Sequence, residues 1–171
     1  DDHFIMTFDV FEPEYHTETY TDFDFYGRPY TNSYAVFDGY RFKTGMITAI
    51  NFQGDLLWDN TLPFRNTLTM DLQPKMVAYP TGKIDYALCY LTDGIIASRI
   101  VSGGSIREAT TFLPLDLSES GDKLVRESRS GLNHWYDNYF IASGFQEIKN
   151  IGGEIGNRKI VYYFTKIRFS N

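Results

Sequence analysis

The sequence predicts an all-β protein built from three repeated antiparallel units. Phe and Tyr are abundant, with 14 and 13 copies among 171 residues, and aromatic residues favour strands over helices. Short apolar runs alternate with turn residues, which is typical of strands joined by tight connections. The third observation is a glycine repeat, in which eight residues separate the two members of each pair: Gly45 and Gly54, Gly94 and Gly103, Gly144 and Gly153.

The repeat has a length of about 49 residues, which is typical of propeller blades. The segments that end at the first glycine of each pair run YRFKTG, CYLTDG and YFIASG. We therefore predict three propeller-like blades, at about 1–64, 65–115 and 116–171, in a single all-β domain or fragment. Because a closed propeller needs about four to eight blades, the chain is expected to be part of a larger β-propeller. A β-sandwich or an open barrel is the alternative.

In the first unit, strands are predicted at 3–11, 34–42, 46–52 and 56–62. The segment 12–32 lacks a clear period and is expected to be a long irregular loop, a kind of segment that is often functional. A Gln53-Gly54-Asp55 turn joins the last two strands. Pro63 is expected to end the final strand, because proline has no N–H to give to the ladder.

The second unit has the clearest pattern, with four strands predicted at 76–79, 84–91, 95–101 and 106–113. Four strands are what one propeller blade requires. A polar and charged connection at 116–129 is expected to lead into the third unit. Strands are predicted there at 135–142, 145–151 and 159–169.

Composition limits the partners. The 16 basic and 22 acidic residues give a net charge of −6, which disfavours nucleic acid. No apolar run is long enough for a membrane-spanning helix.

Cys89, the single cysteine, is expected to be a buried small hydrophobe. His3, His16 and His134 lack the spacing that gathers a transition metal.

Ten residues carry a family resemblance. The run Ala49-Ile50-Asn51-Phe52-Gln53-Gly54-Asp55-Leu56-Leu57-Trp58 resembles the strand, turn and strand-with-Trp pattern of quinoprotein-type (PQQ-like) propeller repeats. The resemblance implies a blade whose Trp58 packs between adjacent sheets. It carries over no cofactor site, because no ligand motif for a quinone is present. The chain opens without a methionine, which suggests a mature product, a proteolytic piece or a trimmed protein.

Two candidate sites emerge. Aromatic rings flanked by carboxylates can hold neutral sugars, and the segment 12–32 offers four such tyrosines: Tyr15, Tyr20, Tyr26 and Tyr30. The alternative is that these rings bury the segment against a blade. A Ca²⁺ site of the helix-loop-helix type is the second candidate, with oxygen ligands at positions 1, 3, 5 and 12 of the loop: Asp116, Ser118, Ser120 and Glu127. A solvated turn between units is its alternative.

The sequence thus favours a non-catalytic binding or scaffolding module of a larger extracytoplasmic protein, in a bacterial envelope or at a cell surface. Its expected partner is another protein chain or the remainder of the same protein, with a glycan as a further candidate. The alternative function is a carbohydrate-active enzyme domain, in which two carboxyl groups act as acid and base. The candidate carboxylates are Asp22, Asp24 and Glu127.

Overall fold

A computed structural model describes residues 3–117, 121–149 and 158–169, and within them the regular elements are strands. The all-β prediction is therefore confirmed. The strands are β1 (His3–Phe23), β2 (Pro29–Asn51), β3 (Leu56–Thr69), β4 (Val77–Pro80), β5 (Asp85–Thr92), β6 (Ile95–Ser102), β7 (Ser105–Pro114), β8 (Lys123–Tyr136), β9 (Tyr139–Lys149) and β10 (Arg158–Arg168).

The strands form three antiparallel sheets in chain order. Sheet 1 contains β1, β2 and β3, sheet 2 contains β4 to β7, and sheet 3 contains β8, β9 and β10. In each sheet, hydrogen-bonded neighbours are consecutive along the chain, so every sheet is a meander. The four strands predicted for the second unit are all present, within two residues of their predicted ends.

Sheet 2 lies between the other two sheets and is buried on both faces. Successive side chains of a strand point to opposite faces, and β5 shows this clearly. Leu88 and Tyr90 join a core that sheet 1 completes with Ile47 and Leu62. The alternate residues of β5 join a second core with Leu132, Phe140 and Ala142 of sheet 3, and these β5 residues are Ala87, Cys89 and Leu91.

Cys89 is 3% exposed, as expected of a buried small hydrophobe. Burial raises the pKa of its thiol to about 12, because desolvation disfavours the thiolate. Trp58 packs between sheets 1 and 2. Its ring lies 5.9 Å from that of Tyr86. It also lies 3.9 Å from the point where a Cβ atom added to Gly103 would stand.

The same alternation leaves apolar side chains on the outer face of each end sheet. On sheet 1 this outer face includes Phe4, Met6, Phe8 and Val10, which are 42% to 55% exposed. On sheet 3 the outer face includes Phe145, Ile160, Tyr162 and Phe164, which are 37% to 74% exposed. Both ends of the stack therefore present unpartnered apolar surface to solvent.

The hairpin of β1 and β2 extends well beyond the part of sheet 1 that includes β3. Strand β3 pairs with β2 only between Tyr40 and Ile50, whereas β1 pairs with β2 as far as Phe23 and Pro29. Residues 14–39 therefore form a two-stranded ribbon, which we call the arm. The prediction of an irregular loop at 12–32 is wrong over most of that range, because the chain there forms two paired strands joined by a short turn.

Several other strand boundaries differ from the prediction. The strands predicted at 34–42 and 46–52 are one continuous strand, β2. A turn at residues 137 and 138 interrupts the strand predicted at 135–142, and β9 then runs without a break into the strand predicted at 145–151. Strand β3 continues past Pro63 to Thr69, because it is an edge strand, where proline is tolerated. A register shift between β2 and β3 directly after Pro63, where Pro63 pairs with Thr44 and Thr67 with Phe42, also relaxes the ladder. The predicted polar connection at 116–129 is strand from Lys123 onward, paired with β9.

Candidate functional site

The four predicted tyrosines lie on the arm, but they do not form one patch. Tyr20 and Tyr30 project from one face, since Tyr20 pairs with Asn32 and Tyr30 with Asp22. Tyr15 projects from the opposite face, where its ring lies 5.4 Å from that of Phe37. Tyr26 lies in the tip turn. All four are exposed, from 46% for Tyr30 to 78% for Tyr26, so they do not bury the segment against a blade.

Hydrogen bonds between side chains order the face that carries Tyr20 and Tyr30, which we call the tyrosine face. The Tyr30 hydroxyl donates to Asp22 at 3.2 Å. The Tyr34 hydroxyl donates to Glu18 at 2.5 Å. The Tyr20 hydroxyl accepts from the Asn32 amide at 3.4 Å. The rings of this face are therefore held in place before any partner arrives.

The tip of the arm is fixed by one carboxylate. Asp24 accepts hydrogen bonds from the backbone N–H groups of Tyr26 and Arg28, both at 2.9 Å, and from the Arg28 guanidinium at 2.8 Å. These bonds lower the pKa of Asp24, and the Arg28 backbone bond is the largest cause. Phe25 is 97% exposed at this tip, so the turn presents an aromatic ring directly to solvent.

A chain of ring contacts joins the base of the arm to the protein core. Successive rings lie 4.9 to 6.0 Å apart along the series Tyr15, Phe37, Tyr40, Phe11, Phe42, Phe64 and Tyr90. Arg41 adds an ion pair with Glu14 across the base. The arm is therefore anchored by packed aromatic rings at its base and held mainly by strand pairing beyond it.

The hydrogen bonds of His16 make the stability of the arm depend on pH. Its ring is 2.6 Å from Asp38 and 3.4 Å from Glu18, and these hydrogen bonds, Asp38 first, raise its pKa. Since the folded pKa lies above the unfolded value, the stabilising contribution is complete below about pH 6.5 and is lost as the pH rises through the folded pKa. We expect an NMR titration of the His16 ring to give a midpoint above about 6.5.

Asp38→Asn tests this cause directly. It is expected to lower the His16 midpoint, while Asp55→Asn, in the distant β2–β3 turn, is expected to leave it unchanged. A wild-type midpoint at or below the model-peptide value would contradict the assigned ion pairs.

A second candidate site is a cavity of about 340 Å³ where the three sheets meet, which we call the junction cleft. The end of β3 and the following segment contribute Asn66, Asp71 and Lys75. The β5–β6 turn contributes Asp93, and β8 contributes Glu127 and Arg129. Three of these lining residues have left-handed backbone although they are not glycine: Asn66, Asp93 and Arg129, with φ of 50°, 49° and 49°. Asn and Asp adopt this conformation more readily than other residues, and Asp93 does so in the Asp93-Gly94 hairpin turn, so Arg129 is the unusual one of the three.

Two carboxyl groups of the junction cleft lie close enough to influence each other electrostatically. Glu127 accepts a hydrogen bond from the Gly94 N–H at 3.0 Å and one from the Tyr163 hydroxyl at 2.6 Å. Asp93 is an exposed residue, but partial desolvation raises the pKa of its carboxyl group, and the charge of Glu127 raises it further. The cleft thus combines a carboxylate that is fixed in position with a neighbouring carboxyl group that binds its proton more tightly.

Lys75 is the most deeply buried charge of the junction cleft. Its side chain is 6% exposed, and its nearest carboxylate oxygen is Asp71 Oδ1 at 3.6 Å. Asp71 Oδ1 is itself buried and accepts no hydrogen bond within the described residues. Asp9 holds the Lys75 backbone in place, because its carboxylate accepts the Lys75 N–H at 2.5 Å.

The predicted Ca²⁺ ligands are not brought together in the part of the chain that the structure describes. Asp116 borders a different cavity from Glu127, and Ser118 and Ser120 lie outside the described residues. Glu127 lies within strand β8 rather than at the end of a loop. Among the described residues, no three His, Cys, Asp or Glu side chains are grouped as metal ligands.

The predicted acid and base carboxylates are also separated. Asp22 and Asp24 lie near the tip of the arm, where they bond to Tyr30 and to the tip turn. Glu127 lies in the junction cleft, and its carboxyl neighbour is Asp93. The sequence did not single out Asp93, although its position before Gly94 in a hairpin turn was visible.

No family model, curated protein or solved structure matches the chain. Among the described residues, no helix is long and apolar enough to cross a membrane.

Proposed function

We propose that this chain is a non-catalytic binding and scaffolding module of a larger extracytoplasmic protein or assembly. The observation that carries the proposal is the pair of apolar outer faces at the two ends of the sheet stack. Monomeric proteins rarely leave contiguous apolar patches uncovered, and such patches mark interaction sites. A further β-sheet on each outer face would continue the stack, as in the larger propeller that the repeat predicts.

The two outer faces differ in charge. Arg158, Lys166 and Arg168 alternate with the exposed apolar residues of β10, so they share its outer face. Asp59 of β3 pairs with Thr48 and lies on the outer face of sheet 1. The outer face of sheet 3 is cationic and that of sheet 1 carries an acidic group. This difference favours stacking of the sheet 3 face of one chain onto the sheet 1 face of another. The partner is another protein chain, or a further part of the same protein.

The arm supplies the second binding surface. It projects beyond β3, and both of its faces are open to solvent. Tyrosine offers a large contact area at a low entropic cost. The hydrogen bonds of Tyr20, Tyr30 and Tyr34 fix their rings beforehand, and this reduces the ordering that binding must impose. We therefore assign protein recognition to the tyrosine face.

Sedimentation velocity across a concentration series tests the scaffolding role. The chain alone is expected to self-associate, and Phe8→Glu and Phe164→Glu are each expected to shift it toward monomer. Mixing the two variants is expected to restore dimers, because each variant retains one intact outer face. Thr19→Glu on the arm is the matched control and should leave association unchanged. A chain that stays monomeric at every concentration would overturn the proposal.

A further inference from the structure

We propose that the end of the arm inserts its aromatic rings into a lipid surface, namely the interfacial layer of a zwitterionic bilayer. The residues concerned form the turn between β1 and β2, residues 24–28, which we call the tip turn. This inference goes beyond the scaffolding function, which rests on the outer faces of the stack. It also differs from the protein recognition assigned to the tyrosine face, whose residues lie behind the tip turn.

The tip turn holds the most exposed aromatic ring of the described chain. Phe25 is 97% exposed and Tyr26 is 78% exposed, and their rings meet edge-on at 5.6 Å. Phe23, the last residue of β1, adds a ring that is 63% exposed. Apolar groups gathered on a surface mark sites of contact with proteins or membranes. Because these residues lie at the far end of the ribbon, a partner reaches them without contacting the sheet stack.

The backbone N–H groups of the tip turn are almost all satisfied within the turn. Those of Asp24 and Gly27 donate to main-chain oxygens at 3.0 and 2.9 Å. Those of Tyr26 and Arg28 donate to the Asp24 carboxylate, both at 2.9 Å. Unpaired backbone groups are what makes irregular chain costly in lipid. The turn therefore suits an apolar medium, whereas it offers few donors for the directional hydrogen bonds of a protein pocket.

The charges of the tip turn cancel. The Arg28 guanidinium lies 2.8 Å from the Asp24 carboxylate, and its central carbon lies 5.3 Å from the centre of the Tyr26 ring. No other residue of the turn is charged. A long side chain such as that of Arg28 can keep its charged end in the polar headgroup layer while its stem covers apolar surface. The ion pair therefore does not prevent the rings from entering the bilayer.

The rest of the arm determines the kind of lipid surface and the depth of insertion. Residues 14–39 contain five carboxylates and one arginine, so anionic lipids repel the arm. The carboxylate next to the turn is that of Asp22, three residues before Phe25, which is roughly 10 Å along a strand. Insertion of the turn alone thus matches the depth of interfacial binding, about 5–10 Å. A zwitterionic surface satisfies both conditions.

The test is flotation of the full chain with vesicles of pure phosphatidylcholine and with vesicles that also contain phosphatidylserine. The wild type is expected to float with phosphatidylcholine and to float less when phosphatidylserine is present. Phe25→Glu is expected to lower the partition coefficient by about tenfold or more, because it removes the buried ring. The almost complete exposure of Phe25 means that this variant should keep the urea midpoint of the wild type.

Tyr20→Glu is the matched control, because Tyr20 is a half-exposed aromatic residue of the same ribbon that lies behind Asp22. It should float as the wild type does. Fluorescence gives a second measurement. Phe25→Trp is expected to add an emission component that shifts to the blue with phosphatidylcholine vesicles and is quenched by brominated lipids, whereas Tyr20→Trp should show neither change.

Three results would overturn the proposal. The wild type could stay in the soluble fraction, which would leave a protein pocket as the partner of the tip turn. It could float only when phosphatidylserine is present, or Phe25→Glu could float as well as the wild type. None of these results bears on the sedimentation assay, so the scaffolding proposal is tested separately.

Discussion

Replacing Tyr90 with alanine is expected to lower the free energy of unfolding by about 3–5 kcal/mol, as large aromatic deletions in cores do. The Tyr90 side chain is fully buried in the core between sheets 1 and 2. Its ring packs edge-on at 4.9 Å from that of Phe64. Its hydroxyl accepts the backbone N–H of Arg65 at 3.0 Å. Urea denaturation followed by fluorescence measures the loss.

Two variants separate the causes. Tyr90→Phe keeps the ring but leaves the Arg65 N–H without its acceptor, and a cost of about 1–3 kcal/mol is expected. Tyr26→Ala removes a tyrosine that is 78% exposed at the arm tip, and its effect should stay within about 0.5 kcal/mol. If Tyr90→Ala cost no more than Tyr26→Ala, the assignment of Tyr90 to the core would be wrong.

The second large effect is expected at Gly144 in the middle strand of sheet 3. A Cβ atom there would lie 2.8 Å from the Ser130 Cα and 3.1 Å from the Tyr163 ring. Main-chain atoms of β8 cannot turn aside as a flexible side chain can. Gly144→Ala is therefore expected to cost about 1–3 kcal/mol through overpacking, measured as a lower midpoint of urea denaturation.

The neighbouring residue provides the control for Gly144. Ser143 points toward the outer face of sheet 3, because its neighbour Ala142 points into the core and side chains alternate along a strand. Ser143→Ala is expected to change stability by less than about 0.5 kcal/mol. Equal midpoints for the two variants would show that β8 and Tyr163 do not crowd Gly144.

The second unit was the most predictable part of the fold, because its strands are short and end at clear turns. Pro80-Thr81-Gly82, Asp93-Gly94 and Gly103-Gly104 separate its four strands, and each turn residue has a local conformational reason to be there. Its central strands are buried on both faces and therefore show continuous apolar runs. In the second unit, the turn residues and the burial of the strands therefore indicate the same four strands.

The arm was missed because hydrophobic periodicity reports burial, and the arm has no buried face. Glu18, Tyr20 and Asp22 alternate with threonines at 17, 19 and 21, so both faces of β1 are polar or mixed. Pairing along the ribbon, rather than contact with a core, makes this segment a strand. An alternation of threonine with other residues was the available indication, since threonine favours strands.

The junction cleft was missed for a different reason. Its residues come from the end of β3, the segment before β4, the β5–β6 turn and β8. Only the packing of three sheets brings these residues together, and no short motif spans them. Lys75 is the clearest case, because a lysine beside Pro74 reads as a surface turn in the sequence, whereas the structure buries it.

The meander topology has a consequence for how the chain acquires its structure. Each strand pairs with the strand next to it in sequence, so each sheet needs only its own stretch of chain for its pairing. The three sheets can therefore form one after another as the chain leaves the ribosome, with each new sheet docking on the one already complete.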